Sequence, residues 1–161
     1  MILTARDSEQ NTKTDYDGAK SVAWTWATGG STSPAGNSAT KASNGNQTFA
    51  SGVTAAISGF KLVKTETATI TATADGKSGT SSTITSGPGA LNDFVVTPST
   101  YSPTTDDNFT VTLTARDAER NTKTDYTGAN DIHWIWATGG TASALNPALK
   151  PADDNQTFTS G

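Results

Sequence analysis

The chain has 161 residues, of which only 16% are charged and 7% aromatic, with a formal net charge of −4 and no cysteine. The acidic balance offers no basic stripe to a phosphate backbone, so nucleic-acid binding is set aside, and without thiols there is neither a disulfide framework nor a thiolate metal site. No apolar run approaches the roughly 20 residues of a membrane-spanning helix, and Met1 leads into a strand-like segment rather than a signal peptide; membrane insertion is not expected here, and any export signal or anchor is expected outside this segment.

Thr, Ser, Gly and Ala dominate the remainder. Thr and Val fit a pleated surface while Gly and Asn supply turns, so this mixture suits short strands with polar outer faces. Alternation with period 2 recurs along the chain, and helical periodicity is nearly absent. After the polar turn Asp7 to Asn11, Val22, Trp24 and Trp26 share one strand face. A loop, Ser31 to Gly45, leads to a short strand around Phe49, and the apolar positions continue through Phe60 and Leu62 to Ala68, Ile70 and Ala72. Asp75-Gly76 is the strongest hairpin signal in the chain. Its return strand is expected over Ser81 to Thr85, centred on Ile84. Ser86 to Ala90 forms a junction, then Phe94 and Val96 alternate ahead of the turn Pro98 to Pro103. Phe109, Val111, Leu113 and Ala115 follow on one face, opposite Thr110, Thr112 and Thr114. Beyond the turn Asp117 to Asn121, a strand is expected to carry Ile132, Trp134 and Trp136, and a loop, Thr141 to Asp154, precedes a short strand at Phe158.

The second half repeats the first. Leu3 to Gly30 recurs as Leu113 to Gly140 with 20 of 28 positions identical, an offset of 110 residues. The match resumes at Asn46 to Phe49 and Asn155 to Phe158 with an offset of 109, so the intervening loop tolerates change. A period of this length is one small domain, and the chain spans about one and a half periods. Residues 88–112 have no counterpart before Met1, and residues 53–87 none after Gly161. The expectation is two domains, 1–87 lacking its first strand and 88–161 lacking its last strands. Sheet proteins avoid open edges, so neighbouring repeats or other copies of the chain are expected to supply the missing strands. Seven turn-punctuated strands per period describe an all-β, immunoglobulin-like Greek-key sandwich. The short junction predicts a rod of domains end to end. A single unit closed from residues 53–161 is disfavoured, because five residues reach at most about 18 Å.

Phe94-x-Val96, Phe109 to Ala115 with Asp117-Ala118, Asn121, Thr124 to Gly128, Gly52 to Thr54, Ile70 to Thr73 and Gly79 to Ser81 together resemble the bacterial immunoglobulin-like (Big/invasin-like) repeats of very large secreted surface proteins. The resemblance covers nearly the whole period. It implies an extracellular or cell-surface spacer, fibre or adhesin stalk. Two departures stand out. Arg120 and Gln10 occupy the place where the family usually has Gly, so another turn geometry is expected there, and Val53 to Phe60 is longer than usual.

Trp24 and Trp134, flanked by Val22 and Ile132, read as core tryptophans of a sandwich. Trp26 and Trp136 sit at the strand end beside Thr-Gly-Gly, where a ring could stack on a sugar, the feature of a carbohydrate-binding accessory module with surface glycans as partners. Asp117, Asn121 and Asp125, with Asp7, Asn11 and Asp15 in the other copy, supply oxygen ligands of the kind Ca²⁺ takes. Calcium is the one candidate cofactor. Their spacing is not that of an EF-hand, and Asp and Asn are also default turn formers. Asp106-Asp107 is a further carboxylate pair. The single His133 faces away from Trp134 and is Ala23 in the other copy, no Ser lies in a nucleophile elbow, and no catalytic residues are expected. Sequons stand at Asn46, Asn108 and Asn155, and Lys61 and Lys64 are the nearest candidates for a Lys–Asn crosslink. A structural module presenting variable loops is the expected role, with a sugar-binding module or a filament subunit that exchanges strands between chains as the rivals.

Overall fold

The computed structural model describes all 161 residues, Met1 to Gly161. It is all-β, with antiparallel pairing throughout, and divides into two compact units. The first holds Met1–Gly89 and Ala118–Asn121, the second Ala90–Asp117 and Thr122–Gly161.

The first unit is organised by one long strand, β1 (Gly18–Thr28). Its opening half pairs with β2 (Gly45–Ala50), Gly18 facing Phe49 and Val22 facing Gly45. Its closing half pairs with β4 (Glu66–Ala74), Ala23 facing Thr73 and Trp26 facing Ile70, with a bulge before Thr28. The short β3 (Val53–Thr54) flanks β2, while β5 (Lys77–Thr80) and β6 (Ile84–Ser86) both pair with β4. Asp75 and Gly76 both take positive φ, 48° and 71°, the twist that joins β4 to β5 without splaying them.

Alternation along β1 places Val22, Trp24 and Trp26 inward, and the first two are sealed from solvent together with Ala42, Phe49 and Ile70. Phe60 meets Trp24 edge-on at 5.1 Å, and Tyr16 meets Phe49 the same way at 4.9 Å. Met1, Leu3, Ile57 and Phe60 complete this core from its rim. The Met1–Asp7 segment forms only isolated bridges, Thr4 to Val53 and Arg6 to Thr12. On one side it is tied to residues 52–57: Ala5 N–H donates to Gly52 O, Thr54 N–H to Leu3 O, and Ile57 N–H to Met1 O.

In the second unit β7 (Leu91–Pro98) pairs with β8 (Val111–Asp117), and β9 (Gly128–Ile132) with β10 (Asp154–Phe158). The register of β9 on β10, Gly128 facing Phe158 and Ile132 facing Asp154, is that of β1 on β2. Local hydrogen bonds recur as well. Lys13 N–H donates to Ala5 O and Lys123 N–H to Ala115 O; Gly52 N–H donates to Tyr16 O and Gly161 N–H to Tyr126 O. The Tyr126–Phe158 ring pair, 4.9 Å apart and edge-on, repeats Tyr16–Phe49, and Phe94 of β7 adds a third ring within 6 Å of both.

Three expectations about strands are corrected. The strand expected through Trp134 and Trp136 stops at Ile132, because the second unit has no counterpart of β4 to accept its hydrogen bonds. The strand expected from Phe109 begins at Val111, where the ladder with β7 begins. The return strand expected over Ser81–Thr85 is two pieces, β5 and β6, between which Ser81 uses its backbone and its hydroxyl on Ile70. At Gln10 and Arg120 the backbone takes φ of 69° and 62°, the left-handed region that glycine favours, although neither residue is glycine.

Candidate functional site

The turn carboxylates are engaged with protein donors. Asp7 Oδ1 accepts the N–H groups of Glu9 and Asn11 at 3.0 and 2.8 Å, and its Oδ2 accepts from the Asn11 side-chain amide at 3.2 Å. The donating end of Asn11 therefore faces the carboxylate, and these bonds, the Asn11 N–H foremost, hold the Asp7 carboxyl below its ordinary range. Asp15 is paired with Lys13, and Asp125 with Lys123, each at 2.8 Å, which lowers both carboxyls in the same way. Asp117 and Asn121 are buried, at 3% and 6% exposure. Asn121 belongs to the first unit, where its Oδ1 accepts Thr65 N–H and its amide donates to Val63 O. Of the six oxygen-ligand candidates, the structure thus brings Asp7 and Asn11 together, while Asp15 and Asp125 turn to lysines; nowhere do three His, Asp or Glu side chains converge as a metal site. Asp107 accepts from Thr104, and Asp106 from the Asn146 amide.

Two clefts lie beside the tryptophans, one at Trp26 and one at Trp134. Trp26, half-buried, lines one of about 270 Å³ with Phe60, Leu62, Ile70 and Ile84. Its indole is covered by Gly30, whose φ is +69° and on which a Cβ would stand 2.3 Å from the indole Cγ. Trp136 and Gly140 repeat this contact at the same 2.3 Å, but Trp136 is 44% exposed. A sugar therefore has at most one free indole face at either position. The second cleft, about 340 Å³, lies between β8 and β10 and is lined by Val111, Leu113, Trp134 and Phe158. Of their counterparts, Trp24 and Phe49 lie in one core cluster with Ile70, against which Leu3, Ile57 and Phe60 pack.

One pair of site residues is not legible from composition or alternation. Where β1 leaves β2, the next inward N–H, that of Trp24, donates to Asn44 Oδ1 at 2.9 Å; in the second unit Trp134 N–H donates to Asp153 Oδ1 at 2.8 Å. Asn44 and Asp153 occupy equivalent places two residues before the paired sequons, and the only signal was that shared spacing. Asp153 also binds Lys150 and His133, and its carboxyl is lowered to about 2, by Lys150 first and by the Trp134 N–H next. His133 is accordingly tied at the surface, 75% exposed. The indole N–H groups of Trp24 and Trp134 are both buried without an acceptor.

The loop Ser31–Gly45 is ordered from within the first unit: Glu119 accepts from Ser33 Oγ and the Asn37 amide, both at 2.8 Å. Among the sequons, Asn46 and Asn155 lie exposed on β2 and β10, and Asn108 is exposed just ahead of β8. Lys61 bridges to Thr40 through its backbone. Comparison with protein-family models, curated proteins and solved structures returned no match.

Proposed function

We propose that the chain is a structural repeat module of an extracellular fibre, stalk or adhesin, built of immunoglobulin-like Greek-key sandwiches in tandem. In this reading 1–87 is a repeat without its first strand and 88–161 a repeat without its last ones, and partners are neighbouring repeats or further copies of the chain. The observation that carries it is the return, 110 residues on, of the same ladder register and the same turn hydrogen bonds around the same Tyr–Phe ring pair. A recurring unit held by nearest-neighbour contacts gives a chain fixed length per copy, which is what a spacer requires. Polar, Thr-rich outer faces and the absence of thiols suit an exposed life in which packing alone supplies stability. No catalytic role belongs to this reading.

The test is immunolabelling of intact source cells with antibodies raised against residues 1–161. Surface signal before permeabilisation is expected, and signal only after permeabilisation contradicts the reading.

A further inference from the structure

The second unit holds a surface whose missing cover can be read from the first. Residues His133–Trp136 repeat Ala23–Trp26, yet they pair with no strand, and Ile135 and Trp136 stand 74% and 44% exposed. Beside them the cleft among Leu113, Trp134 and Phe158 is open at about 340 Å³. Trp134 lines this cleft, and its buried Nε1 lacks an acceptor, as does that of Trp24 in the first unit. In the first unit the matching edge and space are filled by one continuous stretch: Thr54 and Ile57 donate their N–H groups to Leu3 O and Met1 O, Phe60 meets Trp24 edge-on at 5.1 Å, and β4 pairs along Ala23–Thr28.

We propose that this face of the second unit is an acceptor for an added segment with the chemistry of Val53–Ser86. Its strand pairs edge to edge in the register that β4 holds on β1, placing Thr73 opposite His133, Ala72 opposite Trp134, Thr71 opposite Ile135 and Ile70 opposite Trp136. Backbone hydrogen bonds of the open edge give affinity, and alternate side chains entering a cleft give selectivity, as in other cases of strand addition. The occupant must bring an aromatic ring for Trp134 and a branched aliphatic residue beside it. It must also carry a small residue at the Ala68 position, which is fully buried in the first unit. The proposal rests on the repeated geometry and not on an extracellular location.

The experiment is calorimetric titration of the whole 161-residue protein with a synthetic Val53–Ser86 peptide, and with the same peptide carrying Ile70→Asp or Phe60→Ala. Placing the substitutions in the peptide leaves the folding of the protein untouched. One peptide per chain is expected, with each substituted peptide at least about tenfold weaker, since a buried apolar side chain of this size is worth that much. In isotope-labelled protein, amide shifts at His133–Trp136 and around Leu113 should accompany binding. Four results overturn the proposal: no binding of the unsubstituted peptide, equal affinity for the substituted ones, shifts confined to the first unit, or self-association of the chain that seals His133–Trp136 and resists the peptide.

Discussion

Replacing Gly30 by alanine separates two costs that the repeat allows to be measured independently. At φ of +69° an L-residue carries left-handed strain of about 1–2 kcal/mol, offset in part by about 0.4–1 kcal/mol from a less free unfolded chain. The added methyl would also lie 2.3–2.4 Å from three atoms of the Trp26 indole. Trp26 is half-buried and packs on one side against the core cluster that holds Trp24 and Ile70, so moving the ring disturbs those contacts, and overpacking of this kind costs a further 1–3 kcal/mol, roughly. Gly140 has φ of +63° and the same 2.3 Å approach to Trp136, but that ring is 44% exposed and free to swing outward. Gly30→Ala is therefore expected to cost about 2–4 kcal/mol and Gly140→Ala about 1 kcal/mol. Urea unfolding followed by tryptophan fluorescence, with unit-specific amide signals to assign each transition, measures both. Equal costs, or a Gly30→Ala cost no larger than left-handed strain alone, would refute the assignment of Trp26 to the packed rim of the core and Trp136 to an exposed position.

Further expectations follow from the same contrast between copies. Trp24→Ala, at a residue 1% exposed, should cost about 3–5 kcal/mol in denaturant unfolding, whereas Trp134→Ala, beside an open cleft, should cost about 1–2 kcal/mol. Asn121→Ala strips partners from Thr65 N–H and Val63 O at a buried position and should destabilise the first unit by about 1–3 kcal/mol, read by thermal unfolding. The Asp153 carboxyl, lowered from 3.8 to about 2, contributes stability that is present above its unfolded value and is lost as pH falls through about 2. Carbon-detected NMR titration should show its midpoint near 2 with the Trp134 amide shifting in step, and a midpoint near 3.8 contradicts the bond. Trp26→Ala and Trp136→Ala should leave retention on insoluble polysaccharides unchanged, since a structural module needs no sugar contact and Gly30 and Gly140 leave at most one face of each ring free; a loss of retention supports a sugar-binding module instead.

Much of the fold was legible where one local signal decides the outcome. Strand β1 could be read from Val22, Trp24 and Trp26 because alternation alone marks a face that must be buried, and the β4–β5 turn from Asp75-Gly76 because few residue pairs accept two positive φ angles. What alternation cannot supply is the partner. His133 to Trp136 carries the same pattern as Ala23 to Trp26 but forms no strand, since pairing is non-local and β4 has no counterpart in the second unit. Phe60 contributes apolar surface from outside any strand, so its place against the core follows from packing rather than periodicity. The Asp and Asn residues proposed as oxygen ligands were visible, but their occupants were not: whether Asp7 meets a cation or its own turn depends on backbone N–H directions that residue type does not specify. Asn44 and Asp153 escaped notice because the two copies use different residues for one task.

The central claim is that two sequences identical at 20 of 28 positions form the same substructure, completed by a partner strand in one copy and left open to receive one in the other. Amide hydrogen exchange at Ala23–Trp26 and His133–Trp136 tests this most directly, with and without the Val53–Ser86 peptide. In the protein alone, Ala23–Trp26 should exchange slowly and His133–Trp136 rapidly, and the peptide should slow the second set to the level of the first. Equal protection of both segments before any peptide is added, or rapid exchange at His133–Trp136 with saturating peptide, would contradict it.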